Sequence, residues 1–230
     1  MTAEAASTIG LVSNQSTLGQ KFRSRRSAHI RQLIDTIHSE KGSCRIMDLG
    51  GTEDYWRLFE PSYLKSRNVS IDLVNPLPSG TTSGIFTYLQ ADACHVAQAA
   101  DNSYDLVHSN STIEHVGDWA RMKAFAVEVR RLAPRYYTQT PYFWFPYEPH
   151  FRLPFFHWLP RSARVHLQHQ FTLGHRERRT TIDEAVQSIE EVRLLDLAQF
   201  RFLFPDAKII RERVFPFTKS LIAIKSRPDP

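Results

Sequence analysis

From Phe22 onward the apolar positions follow a helical period. Ile30, Leu33, Ile34 and Ile37 fall at i, i+3, i+4 and i+7, one stripe of a helix. The period then shortens. Arg45-Ile46-Met47-Asp48-Leu49 reads as a short buried strand ending at Gly50-Gly51. Thr52 is placed to cap a helix with Glu53 and Asp54 in its first turn, and Pro61 is expected to stop it. Val69 to Val74 is a second strand, halted by Asn75-Pro76, and Phe86 to Gln90 a third. After an Asn102-Ser103 turn, Tyr104 to His108 is the fourth. Trp119, Met122, Phe125, Ala126, Val129 and Leu132 mark a long helix, and Tyr136 to Thr140 is a fifth strand closed by Pro141.

Strands that alternate with helices imply parallel pairing through right-handed crossovers. The last third of the chain differs. Thr181-Ile182-Asp183-Glu184 is a capping box, followed by an apolar stripe of Ile182, Ala185, Val186 and Ile189. Ala207 to Val214 and Leu221 to Lys225 read as two strands about Pro216, a hairpin that adds an antiparallel edge. Residues 21–230 are thus expected to form a single α/β domain behind a mobile tail, 1–20, rich in Ser, Thr and Ala. Residues 142–160 interrupt the alternation. They are too rich in proline for a helix or central strand, and their Phe and Trp suit the wall of an acceptor site.

Composition narrows the setting. No apolar run reaches the length of a membrane span, and no apolar segment follows a basic one at the N-terminus as in a secretory signal. Cys44 and Cys94 form no CxxC or zinc pattern. Reduced thiols and a cytoplasmic location are the expectation. The net charge of +5 is concentrated in two clusters, Lys21, Arg23, Arg25, Arg26 and Arg31, then Arg161, Arg164, Arg176, Arg178 and Arg179. Basic clusters attract nucleic acid, but most are solvated faces, so nucleic acid is not the expected partner.

The chemistry concentrates at Asp48-Leu49-Gly50-Gly51-Thr52, where the first strand turns into a helix. A cofactor crossing the strand tips needs small residues there, and the helix start offers free N–H groups. Asp72, read as the end of the second strand, is an acceptor for ribose hydroxyls, and Asp92 follows the third strand on the adenine side. The G-x-G-x-x-G dinucleotide signature is absent, and acids at these tips would repel a pyrophosphate, which argues against a dehydrogenase.

From about Arg45 to Thr140 the chain resembles the class I S-adenosylmethionine-dependent methyltransferases, especially the type 11 group. Arg45 to Thr52 looks like the family's first motif, and Ile71-Asp72 is similar to its ribose-binding acid. Gln90-Ala91-Asp92-Ala93 is similar to its adenine-side motif. Asp101 to Val107 with Ile113-Glu114-His115-Val116 resembles the segment around its fourth strand. Phe204-Pro205-Asp206-Ala207 and Lys219-Ser220-Leu221 resemble its closing hairpin. The family often has glycine where Thr52 and Asp54 stand. The resemblance implies a Rossmann-like three-layer sandwich. Its seven-stranded sheet has the order 3-2-1-4-5-7-6, with strand 7 antiparallel. It further implies S-adenosylmethionine bound by Asp48, Gly50, Gly51, Thr52, Asp72, Leu73, Asp92, Ala93, Ser109 and Asn110.

The expected reaction is an in-line methyl transfer to an O or N atom of a small, sugar or lipid-linked acceptor. The alternatives are a binding protein that kept the fold without turnover, or an RNA methyltransferase. A hydroxyl acceptor needs its proton taken. Candidates are His150 paired with Glu148, and His115. His166 and His169 have the i, i+3 spacing of a metal pair but no evident Cys or carboxylate partner, so no metal is expected.

Overall fold

The computed structural model describes residues 17–77, 80 and 82–227. The expected tail falls mostly outside these. The first described helix, α1, already begins at Thr17 and runs to Lys41. Its stripe is the one read from spacing: Ile30, Leu33, Ile34 and Ile37 are all buried. The chain continues through β1 (Cys44–Leu49), α2 (Glu53–Trp56), α3 (Pro61–Ser66), β2 (Val69–Asn75), β3 (Phe86–Gln90) and β4 (Leu106–Asn110). A 3-10 turn (Ile113–His115), α4 (Trp119–Leu132) and β5 (Tyr136–Pro141) follow. Then come β6 (Tyr147–Glu148), β7 (Leu153–Pro154), α5 (Arg161–Gln170), α6 (Ile182–Glu190), α7 (Leu197–Leu203), β8 (Lys208–Val214) and β9 (Phe217–Lys225).

Seven strands form one sheet in the order β3-β2-β1-β4-β5-β9-β8. The neighbours of β1 are parallel to it, and β8 and β9 are antiparallel. This is the Rossmann-like order of the expected fold. Its central strands are apolar on both faces, as a covered parallel sheet requires: Ile46, Met47, Ile71, Leu73, Val74, Leu106 and Val107 are fully buried. The sheet ends on β3 at one side and on β8 at the other. The described chain divides into two compact units, and the division runs through β5. Unit one holds the chain up to Asn110, Glu128–Tyr137 and the segment from Lys225; unit two holds Ser111–Val127 and Thr138–Ile224.

Several boundaries differ from the expectation for local reasons. The helix after the glycine turn is a single turn, and Thr52 makes no side-chain cap. Pro61 does not end that helix; it starts α3, because a proline in the first turn has no N–H to leave unpaired. The fourth strand begins two residues late. Tyr104 precedes it and turns its hydroxyl toward Asp72. The proline-rich segment is not a plain loop. Tyr147 pairs with Pro154 and Glu148 with Leu153 in a small antiparallel hairpin, followed by a 3-10 turn at Phe156–Trp158. The Thr181 capping box forms as read, with Thr181 accepting from the Glu184 N–H.

Asp72 is the largest departure. It lies in the middle of β2, paired in register with Met47, and the strand runs on to Asn75. Its carboxylate accepts from the Tyr104 hydroxyl at 2.5 Å and from Arg45 Nη2 at 3.0 Å, and the Arg45 guanidinium sits 4.3 Å over the Tyr104 ring. Burial, and then the Asp72 carboxylate, push the Tyr104 hydroxyl above its ordinary range. Losing this acceptor would leave the buried Tyr104 O–H without its acceptor, the phenol oxygen keeping only its contact from Arg45 Nη2 at 3.2 Å. Asp72→Ala is therefore expected to lower the unfolding free energy by about 2 kcal/mol, read as a shift in urea midpoint at constant slope. An unchanged midpoint would refute the structural role.

Candidate active site

In unit one the glycine turn is built around a buried carboxylate. Asp48 is fully buried, and its oxygens are both engaged: Oδ1 with His108 Nδ1 at 2.7 Å, Oδ2 with the Trp56 indole N–H at 2.7 Å. His108 is itself enclosed by the rings of Tyr55, Trp56 and Tyr137 at 4.6, 5.1 and 5.4 Å. The chain then passes directly over Asp48. A Cβ on Gly51 would lie 1.9 Å from Asp48 Oδ2, so only glycine fits. Gly50 has φ +75, a left-handed conformation that glycine adopts freely, and its N–H donates to Val74 O at 2.8 Å. Asp48 therefore supports the turn from below, with each of its oxygens engaged within the fold.

Above the turn lies a cleft of about 230 Å³ lined by Gly51, Thr52, Glu53, Asp54, Arg57 and Tyr88. The Tyr88 hydroxyl donates to Glu53 at 2.5 Å; burial, and then this carboxylate, push it up to about 12. Asn75 stands at the tip of β2. Its Nδ2 donates to Gly51 O at 2.9 Å, which ties the tip of β2 to the glycine turn. The donor set fits a cationic sulfonium ligand: the cleft carries two carboxylates, Glu53 and Asp54, against one guanidinium, Arg57.

The other expected cofactor residues are placed as follows. Leu73 is fully buried within β2, one residue beyond Asp72, and offers only its backbone. The Ser109 hydroxyl is buried and donates to Leu49 O at 3.0 Å. Asn110 Oδ1 accepts from Arg26 Nη1 at 3.3 Å. Asp92 is exposed and closes its own turn by accepting from the Cys94 N–H at 2.9 Å, with Ala93 inside that turn. Sequence reading missed Asn75 and Tyr88. Asn75 had a visible signal, since the Asn-Pro pair marks the true end of β2; Tyr88 had none beyond its place on an edge strand.

In unit two the structure joins Glu148 and His150 as their spacing suggested. Glu148 is buried and accepts from His150 Nδ1 at 2.7 Å through Oε1 and from the Phe151 N–H through Oε2. The His115 ring meets the His150 ring edge to face at 4.8 Å. Glu114 lies beside them, fully buried, one oxygen accepting from Thr140 Oγ1 at 3.0 Å. A second cleft of about 190 Å³ is walled by Phe143, Phe151 and Phe156, with Glu148, His157, Arg164 and Arg193 among its polar groups. Burial holds both His157 and Arg164 below their ordinary values. His166 and His169 lie on α5, where His169 Nδ1 bonds to Arg179 O at 3.0 Å.

Residues 63–135 match the model of the family described as a methyltransferase domain. This segment includes β2, β3 and β4 but not the glycine turn. Among solved structures, a possible exported protein from Bordetella parapertussis is similar, at TM-score 0.52 and 15% identity over 89% of this chain and 68% of that one. A protein described as a zinc-dependent alcohol dehydrogenase from Rhodobacter sphaeroides has TM-score 0.49 and 11% identity over 79% and 83% of the two chains. An S-adenosylmethionine-dependent methyltransferase from Methanosarcina mazei has TM-score 0.46 and 13% identity over 79% and 91%. No curated protein matches. The matched segment is thus similar to a methyltransferase domain over less than half of the chain, and the strand order is the Rossmann-like one.

Proposed function

We propose that this enzyme binds S-adenosylmethionine in the unit-one cleft and moves its methyl group to an O or N atom of an acceptor carried on an apolar group, a lipid-linked molecule being the favoured case. Bound S-adenosylmethionine supplies a methyl already activated on a sulfonium. The chain's own residues have to position it and keep water away. Gly50 and Gly51 keep the turn low, so a ligand can approach the strand tips. Asn75 Oδ1 accepts from a ribose hydroxyl, and Glu53 and Asp54 set a negative potential that suits a cation. Asp48 holds the turn rigid from beneath.

The acceptor class rests on one observation, the cluster of exposed aromatic rings in unit two. Trp144, Phe155 and Trp158 are 54%, 52% and 38% exposed, yet their rings touch: Trp144 and Trp158 at 6.0 Å, Phe155 and Trp158 at 5.0 Å. Rings grouped on a surface mark a place where an apolar partner rests, and Trp favours the boundary between water and lipid. The test is to offer aqueous and organic-solvent extracts as acceptor pools and to measure released S-adenosylhomocysteine. Turnover with the organic fraction is expected. Turnover with the aqueous fraction alone would overturn the acceptor class.

Two variants check the cofactor cleft. Asn75→Leu is expected to weaken S-adenosylhomocysteine binding by roughly ten-fold or more in titration calorimetry, whereas Asp72→Asn should stay within about three-fold of wild type. The reverse pattern would return the ribose role to Asp72. Gly51→Ala forces a methyl onto a buried carboxylate and should both lower stability by about 2–4 kcal/mol and abolish measurable binding. A normally stable Gly51→Ala protein would show that Asp48 does not support the turn.

A further inference from the structure

Unit two carries a group of side chains that methyl transfer does not require. One ligand atom from each of Glu114, His115 and His150 lies within 4.8 Å of the other two. Each of the three is held by a second partner. His115 Nδ1 donates to Glu191 O at 3.1 Å, and His150 Nδ1 donates to the Glu148 carboxylate at 2.7 Å. Donation through Nδ1 fixes both neutral rings in the tautomer whose Nε2 carries a free lone pair. Glu114 is fully buried. One carboxylate oxygen takes the Thr140 hydroxyl, and the other, Oε1, has no hydrogen-bond partner among the described residues.

That lone oxygen is the observation that requires an explanation. A buried carboxylate with an unpaired oxygen is costly, and native proteins keep such groups only where something compensates. A cation compensates it directly. The Glu148–His150 pair has the form in which metal-ligating histidines are held, one ring nitrogen on a carboxylate and the other on the ion. Glu148 also interacts with the Arg164 guanidinium, and Arg176 lies over the Phe151 ring beside it.

We propose that Glu114, His115 and His150 bind a divalent transition-metal ion, with Zn2+ the favoured occupant and Glu148 as the residue that positions His150. Two imidazoles and one carboxylate are a ligand set for Zn2+ or Fe2+, with at least one coordination position left to water or substrate oxygen. Ligand atoms about 2.0–2.1 Å from a tetrahedral ion lie about 3.4 Å apart. The group therefore closes by somewhat more than an ångström on loading. His115 is exposed and His150 is at the hairpin turn, so side-chain rotation suffices. The site replaces the expected roles of His150 and His115 as general bases, because a ring nitrogen on an ion is not free to take a proton. The proposal departs from the expectation of no metal, which considered the pair His166 and His169, whereas here Glu114 and His150, 36 positions apart in the chain, meet.

The test uses full-length protein stripped with chelator and dialysed. Zn2+ is titrated by calorimetry, and Co2+ is followed by its visible d–d absorption. Wild type is expected to take up a single ion per chain and to melt at higher temperature when loaded. His150→Asn and His115→Asn should each weaken binding by roughly 100-fold or more, and Glu148→Gln by roughly 10- to 100-fold. Glu114→Gln separates the proposal from a purely structural role. Removing an uncompensated buried charge should leave the stripped variant at least as stable as stripped wild type, while the metal-dependent rise in melting temperature disappears. If Glu114→Gln does not fold, the two histidine variants, both on accessible side chains, carry the decision. No uptake of either ion by wild type, or equal uptake by the His115→Asn and His150→Asn variants, would overturn the site. Neither readout depends on S-adenosylmethionine.

Discussion

The glycine turn depends on the carboxylate of Asp48. A carboxylate with no solvent contact is tolerable only if its oxygens have donors, and here the Trp56 indole and the His108 ring supply one to each. Those two bonds tie three elements together: β1, which carries Asp48, the one-turn helix α2, which carries Trp56, and β4, which carries His108. The turn between β1 and α2 then lies so close over the carboxylate that no side chain fits at Gly51. Polar satisfaction below thus sets the backbone height above, and the backbone height sets the floor of the cleft.

Local signals are legible in the sequence, and contacts that depend on register are not. Period and turn chemistry placed the strands of the parallel sheet, the α4 helix, the Thr181 capping box and the closing hairpin, because each signal is local. The strand order followed from the resemblance to a known family. Roles at the strand tips depend on register, and register is non-local. Asp72 looked like a tip residue because it is followed by only a few apolar residues before Asn75-Pro76. Its pairing with Met47 puts it three residues short, beside Arg45 and Tyr104. Ser109 and Asn110 end β4, and their side chains bond to Leu49 and Arg26.

The hairpin of β6 and β7 shows a different limit. Its prolines argued correctly against a helix or a central strand, and its Glu-Pro-His run suggested a carboxylate–imidazole pair. What spacing cannot show is that the turn carrying His150 meets the 3-10 turn carrying Glu114 and His115. That meeting is a tertiary event between segments with no shared local signal. Buried groups without partners, such as Glu114 Oε1, are visible only after the chain is folded.

The open margins of the sheet have a bearing on how the protein behaves at high concentration. An exposed strand presents unpaired N–H and C=O groups that can recruit a second chain. The outer strand β8 carries Lys208, Arg211, Glu212 and Arg213, and its pairing with β9 is broken by an irregularity at Glu212/Arg213. Charge repels a like strand from another molecule, and the irregularity bends the margin so that a long flat ladder cannot extend. On this side the charges and the irregularity together disfavour self-templating into fibrils.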